Sequence, residues 1–348
     1  MKILDYRFLE NRKIKTLISQ IKKQEARLKI LSISAESSTQ IFRHNYLKQA
    51  YSSTKIEYSM INFNTAEKVV YAKKARNEEQ QEVLNVANAH LKVSMDLKRR
   101  ISDAFVIDVH GQISEKLKGS MTEPRCKAGR YRSVRNYLGD PFTNTVTYTF
   151  PGPKEVPKLM RSLHRFINSR AKLNGILKPG IFHFLFIAIH PFVNGNGRTV
   201  RVLEDFLLKK AGYNRRNLYN LSQYYYENLK QYHYFLNYGR DTHDITGFVE
   251  FYLEGVKDVQ SKVFEEKELL GRIEKLHSVP YWKTMDTLDK KLLHYLVNNE
   301  ELTIKKALKL SSKKLTAEAI RLRFQKYMGL GIMKKVGNFK SAKYIFVN

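Results

Sequence analysis

Between about Glu10 and Ala104, Leu and Ile are interspersed with Lys, Gln and Glu while Gly and Pro are scarce, and the stretch predicts several helices. The texture changes at Gly129. From Val146 through Thr147, Tyr148, Thr149 and Phe150, polar and larger side chains alternate, which predicts a strand. Gly139-Asp140-Pro141 supplies a turn just upstream, so Arg130–Phe150 is expected to form a hairpin, closed by Pro151-Gly152-Pro153. Helices are predicted again over Lys154–Ser169, Pro179–Ile189 and Arg198–Ala211, with Gly212 as a C-terminal stop. A further helical block covers about Leu221–Phe264, and Pro280 marks a break.

From about Asp286 the pattern is helix, helix, helix, hairpin. Leu292, Leu293 and Leu296 fall on the first helix, and Leu302–Leu310 makes a short second. Thr316 caps a third that carries Ile320, Phe324 and Tyr327. Strands Ile332–Val336 and Tyr344–Val347 flank a turn at Gly337-Asn338. That order predicts a winged helix, a helix-turn-helix with a β wing. The fold class expected for the whole chain is mainly α.

Composition adds bounds. A chain of 348 residues is long enough for two or three compact units, and 43% hydrophobic residues supply a core without staples. The single cysteine, Cys126, excludes an internal disulfide framework and fits a reducing compartment. Residues 1–15 lack the apolar run of a secretory signal, and nothing approaches the roughly 20 apolar residues of a membrane span. The expectation is a soluble, cytoplasmic protein with no membrane partner. The net charge of +29 favours polyanions such as nucleic acid or nucleotides, unless the lysines only solvate the surface.

The chemistry centres on Ile187–Arg201. A very apolar helix ends at His190, and a Gly195-Asn196-Gly197 turn leads into an amphipathic helix. Two glycines let backbone N–H groups converge, and at a helix N-terminus these donors form an anion site. Arg198 and Arg201, three residues apart, project on one side of the helix and can grip neighbouring phosphates. A neutral His190 at the loop's opening can take a proton from an attacking hydroxyl.

The run His190-Pro191-Phe192-Val193-Asn194-Gly195-Asn196-Gly197-Arg198-Thr199-Val200-Arg201 resembles the Fic family signature, His-Pro-Phe-x-(Asp/Glu)-Gly-Asn-Gly-Arg-x-x-Arg, at every fixed position but one. Gly129-Arg130-Tyr131-Arg132, the Pro-Gly-Pro, Leu221-Ser222 and the stretch from Asp244 to Phe251 are similar to its flanking segments, so the resemblance covers about residues 40–260. It implies a Fic helical core with a β-hairpin flap, and a division into an N-terminal helical region 1–104, a catalytic core 105–262, a linker helix 263–285 and a winged helix-turn-helix domain 286–348. It implies a protein adenylyltransferase that moves AMP from ATP, with Mg²⁺ or Mn²⁺, to a hydroxyl of a target protein. His190 would then be the base; Gly195, Asn196 and Gly197 the anion hole; Arg198 and Arg201 the phosphate ligands, Arg201 toward the γ-phosphate; and Phe192 the buried anchor. The hairpin would hold a target segment by adding a strand.

Asn194 stands where the family has the metal-binding Asp or Glu. Its amide oxygen lacks the negative charge a hard cation prefers, so weak metal binding is expected there. Ser53 and Glu57, one helical turn apart, are similar to the family's inhibitory motif, in which the glutamate pairs with the second arginine and displaces the γ-phosphate. That motif continues with Gly or Asn, where this chain has Tyr58. In some relatives such a glutamate also supports removal of AMP. In the tail, Lys305, Lys306, Lys309, Lys313, Lys314, Arg321, Arg323, Lys326, Lys334, Lys335, Lys340 and Lys343 crowd together; in a winged helix the lysines would contact phosphates, with Arg321 and Gln325 toward bases. The alternative reading is therefore a nucleotide-sensing, DNA-binding regulator with a weak Fic core. A transferase of the same family moving another phosphate-containing group is a third. Homo-oligomerisation is left open.

Overall fold

The structure, a computed structural model, describes residues 2–31, 35–118, 128–140, 145–169, 173–279, 282–311, 315–337 and 342–347. Cys126, Pro141, Pro280, Lys313, Lys314, Asn338 and Lys340 lie outside the described residues. The chain forms two compact units, Met1–Ser261 and Lys262–Asn348, and helices dominate both.

In the first unit a two-stranded ribbon, β1 (Lys2–Ile3) and β2 (Tyr6–Arg7), leads into α1 (Arg12–Lys29). Asn11 starts α1 by accepting from the Ile14 N–H, and its amide donates to Glu250. Next come α2 (Ala35–Ile56), α3 (Phe63–Ala72), α4 (Glu78–Ser94) and α5 (Asp103–Ile113). Asn62, Asn77 and Ser102 cap α3, α4 and α5 through their side-chain oxygens.

The expected hairpin is β3 (Tyr137–Asp140) with β4 (Thr145–Thr149), antiparallel, with a bulge at Leu138/Gly139. It precedes α6 (Val156–Asn168), α7 (Leu177–Ile189) and α8 (Asn196–Lys210). In α7 every residue from Ile181 to Ile189 is buried. A helix apolar all round belongs at the centre of a core, and each buried Phe there contributes about 1.5–3 kcal/mol. Helix α6 packs on α7, and α8 packs on α4, α5 and α7. The helical block from Leu221 resolves into α9 (Leu221–Glu227), α10 (Leu229–Thr242) and α11 (Thr246–His277). Helix α8 begins two residues before the expected Arg198, so Asn196 and Gly197 belong to its first turn.

The second unit continues with α12 (Thr287–Asn299), β5 (Glu301–Leu302), α13 (Ile304–Leu310), α14 (Ala317–Gly329), β6 (Met333–Val336) and β7 (Lys343–Phe346). Its strands form an antiparallel sheet in the order β5-β7-β6. Leu292, Leu293, Leu296, Ile320, Phe324 and Tyr327 share its core, and Thr316 caps α14. Arg323 is turned inward to Asp286 and the buried Asp289, which also accepts from the Tyr327 hydroxyl. Arg323 therefore staples α14 to α12. No helix among the described residues is long and apolar enough to cross a membrane.

Candidate anion-binding active site

The site is the passage from α7 to α8. Helix α7 ends at His190, whose left-handed backbone (φ 52°) turns the chain while its N–H still donates to the Phe186 carbonyl. The carbonyls released there are gathered by one buried side chain. Arg132 donates from Nε to the His190 oxygen at 2.7 Å and from Nη2 to the oxygens of Ile189 (3.3 Å) and Pro151 (2.5 Å). A cation at a helix C-terminus also suits the helix dipole. The loop then closes on itself. The Asn196 side chain accepts from Phe192 N–H at 2.9 Å and donates to the Phe192 carbonyl at 2.8 Å. Gly195 starts α8 in the left-handed region (φ 75°), which glycine takes without a Cβ penalty.

His190 lies at the loop's opening, its ring stacked on Phe150 just past β4, with centroids 4.0 Å apart. Nδ1 sits 3.4 Å from the Ile187 carbonyl, and as the protonated nitrogen it donates there, leaving Nε2 as the lone pair. Burial, then the charges of Arg132 and Arg240, lower its pKa to about 4, outweighing the Ile187 hydrogen bond and the charge of Glu57. The imidazole is neutral at pH 7.

Both arginines of the loop are buried and paired. Arg201 donates from Nε to Ser53 Oγ (2.9 Å) and from Nη2 to the Ser53 carbonyl (2.8 Å) and Glu57 Oε1 (2.6 Å). Arg198 forms an ion pair with Glu82 at 2.8 Å and donates to Asn194 Oδ1 at 3.3 Å. Helix α2 stops at Ile56, so Glu57 is the first residue beyond it, yet Ser53 and Glu57 both reach Arg201. The Glu57 carboxylate lies directly over Gly197, where any Cβ would overlap it. A carboxylate thus occupies the start of α8, the place that attracts anions. Burial raises the Glu57 pKa, but the charges of Arg201 and Arg198 outweigh it and hold the carboxyl below its ordinary value. Tyr58, next in sequence, takes φ 64°, which explains why Gly or Asn suits that position.

Asn194 offers an amide oxygen that already accepts from Gly195 N–H (2.5 Å) and Arg198. Among the described residues no three His, Cys, Asp or Glu side chains converge on a possible metal position. At this position the loop offers a divalent ion a neutral amide oxygen and no carboxylate.

Local spacing did not reveal the residues that hold the loop from outside. His110 on α5 stacks flat on Phe192 (3.6 Å, 2°), and its Nε2 lies 3.1 Å from the Asn194 carbonyl. Gly129 N–H donates to His110 Nδ1, so Nε2 carries the proton. Asn136 donates to the carbonyls of Phe192 and Val193. His110, Asn136 and Glu82 sit in no motif; only their three-dimensional contacts mark them.

Residues 100–208 match the model of the Fic/DOC family. The chain is 30% identical over 225 residues to a protein adenylyltransferase Fic from Nematostella vectensis, covering 60% of this chain and 50% of that one. It is 26% identical over 216 residues to a protein of the same name from Drosophila persimilis, covering 59% and 39%. The chain thus spans half or less of the length of these curated relatives. Among solved structures, a Fic family protein from Desulfovibrio desulfuricans G20 is similar with a TM-score of 0.63 at 20% identity, covering 97% of each chain. Fic-1 (residues 134–508) from C. elegans gives 0.58 at 16% identity, covering 73% of this chain and 72% of that one. The anion-attracting loop, its two arginines and the hairpin beside it therefore lie in a Fic domain, residues 100–208 of this chain.

Proposed function

We propose that the chain is a protein adenylyltransferase that moves AMP from ATP to a hydroxyl of a target protein, restrained by Glu57. The observation that carries this reading is a neutral imidazole, His190, beside a helix N-terminus with two buried arginines and a carboxylate seated among them. In the reaction the hydroxyl oxygen attacks the α-phosphorus, His190 Nε2 takes the hydroxyl proton, and the bond to the β-phosphate oxygen breaks, releasing pyrophosphate. Backbone N–H groups of the α8 start, with Arg198 and Arg201, would meet the phosphate charge. Asn194 adds no charge, so Mg²⁺ or Mn²⁺ would arrive as the counter-ion of ATP rather than as a resident of the protein. Glu57 competes for Arg201 and for the helix start, so ATP must displace it or bind with its γ-phosphate misplaced.

The test uses α-labelled ATP with the Glu57→Gly variant, alone and combined with His190→Ala. Protein label in the first and none in the second is expected. Equal labelling of both would overturn the role of His190, and ATP binding without label would favour the regulator described next.

A second reading has its own support. Lys305, Lys306 and Lys309 on α13, Arg321, Gln325 and Lys326 on α14, and Lys334 and Lys335 on β6 are exposed in the second unit. As a winged helix, this unit would lay α14 in the major groove of DNA. Arg321 pairs with Glu318 and Lys343 with Glu301, so the phosphate contacts fall mainly to the remaining lysines. DNA affinity of the full chain should fall steeply with salt through counterion release. No binding at low salt would exclude this use of the unit.

A further inference from the structure

We propose that a second site in the first unit, the cavity between the start of α5 and the outer face of α6, binds a phosphate group carried by a small molecule. The cavity measures about 530 Å³. Arg100, Ser102 and Asp103 line it from the start of α5, and Arg161, His164 and Arg165 from α6. A hollow of that size suits a small ligand better than a flat docking face would.

The charge of the lining fits a dianion. Three guanidiniums face one carboxylate, a balance of +2, and that carboxylate, Asp103, already accepts from the Tyr131 hydroxyl at 2.6 Å. Arg100, Arg161 and Arg165 form no ion pair among the described residues, and Arg165 makes only a 3.2 Å hydrogen bond to Ser162. Guanidinium forks are matched to phosphate oxygens, and the dipole of α5 adds to the attraction.

His164 closes the inner wall of the cavity. It is only 7% exposed, it lines the cavity, and its Nε2 has no hydrogen-bond partner. Its Nδ1 lies 3.7 Å from Asp103. Nothing in the adenylyl-transfer chemistry uses these residues.

The experiment is calorimetric titration of inorganic pyrophosphate into the full chain, in which Glu57 already fills the start of α8. Three proteins are compared: the unaltered chain, Arg161→Ala/Arg165→Ala, and Lys22→Ala/Lys23→Ala, which removes the same charge from exposed positions on α1. Saturable binding that weakens about tenfold or more in the arginine variant, and stays within about twofold in the lysine variant, is the expected result. Equal weakening in both variants would reduce the effect to net charge and overturn the proposal. Unchanged affinity in the arginine variant, or no saturable binding in the millimolar range, would overturn it equally.

Discussion

At the start of α8, Arg198 and Arg201 are buried and paired with Glu82 and Glu57. At the start of α5, Arg100, Arg161 and Arg165 border an open cavity and pair with no carboxylate among the described residues. Burial explains the difference. A guanidinium taken out of water needs a counter-charge at all times, whereas an exposed one is satisfied by solvent until a ligand arrives. The Fic loop therefore has to carry an anion of its own whenever no phosphate is bound, and Glu57 is that anion. On the proposed function, restraint of the site and stability of the fold would come from the same contact.

The strongest way to break this comparison is to remove the internal anion. Glu57→Gly leaves Arg201 buried without the Glu57 carboxylate, and the unfolding free energy should fall by about 3 kcal/mol. Added ATP should recover much of that loss in the variant and little in the unaltered chain, as read by denaturant melts with and without nucleotide. A variant as stable as the parent would mean the pair does not compensate Arg201.

Acid titration sharpens the contrast more gently. Burial lowers His190 and His110 from the ordinary 6.5 to about 4, so the unfolded chain takes up protons first as pH falls. Stability should decline from about pH 6.5 toward pH 4. The Glu57 pair, with its lowered carboxyl, contributes fully above the ordinary value of 4.5 and is lost only below that. A stability profile flat from pH 7 to 4 would contradict these assignments.

Smaller effects come from the backbone and the surface. Tyr58 holds a left-handed conformation while 72% exposed, so Tyr58→Asn should stabilise the fold by about 1 kcal/mol, measured by chemical denaturation, and strengthen the restraint. Arg161→Ala should change stability by no more than about 0.5 kcal/mol, since no buried partner depends on it. A loss of several kcal/mol there would mean that this arginine is part of the framework.

The loop was legible in the sequence because its chemistry is local. His190, the two glycines and the two arginines lie within twelve consecutive positions, and helix periodicity places the arginines on one side. The order of helices and hairpins was legible for the same reason, through caps such as Thr316 and the apolar run of α7. What escaped is long-range. Arg132 reaching the end of α7, His110 stacked on Phe192, and Glu82 on Arg198 join residues 57 to 116 positions apart with no spacing rule between them. Arg323 looked like surface charge because nothing nearby in sequence announces the buried Asp289 that holds it. The α5 cavity stayed hidden likewise, since Arg100 and Arg161 meet only after α6 packs.

On the proposed function, Glu57 stands where phosphate binds. Calorimetric ATP affinity, measured for the unaltered chain and for Glu57→Gly under identical Mg²⁺ and salt, tests it most directly. Affinity at least about tenfold tighter is expected in Glu57→Gly, because Arg201 and the start of α8 are freed for the nucleotide. Equal affinity in the two proteins would contradict it, leaving the Glu57–Arg201 pair as a structural ion pair alone.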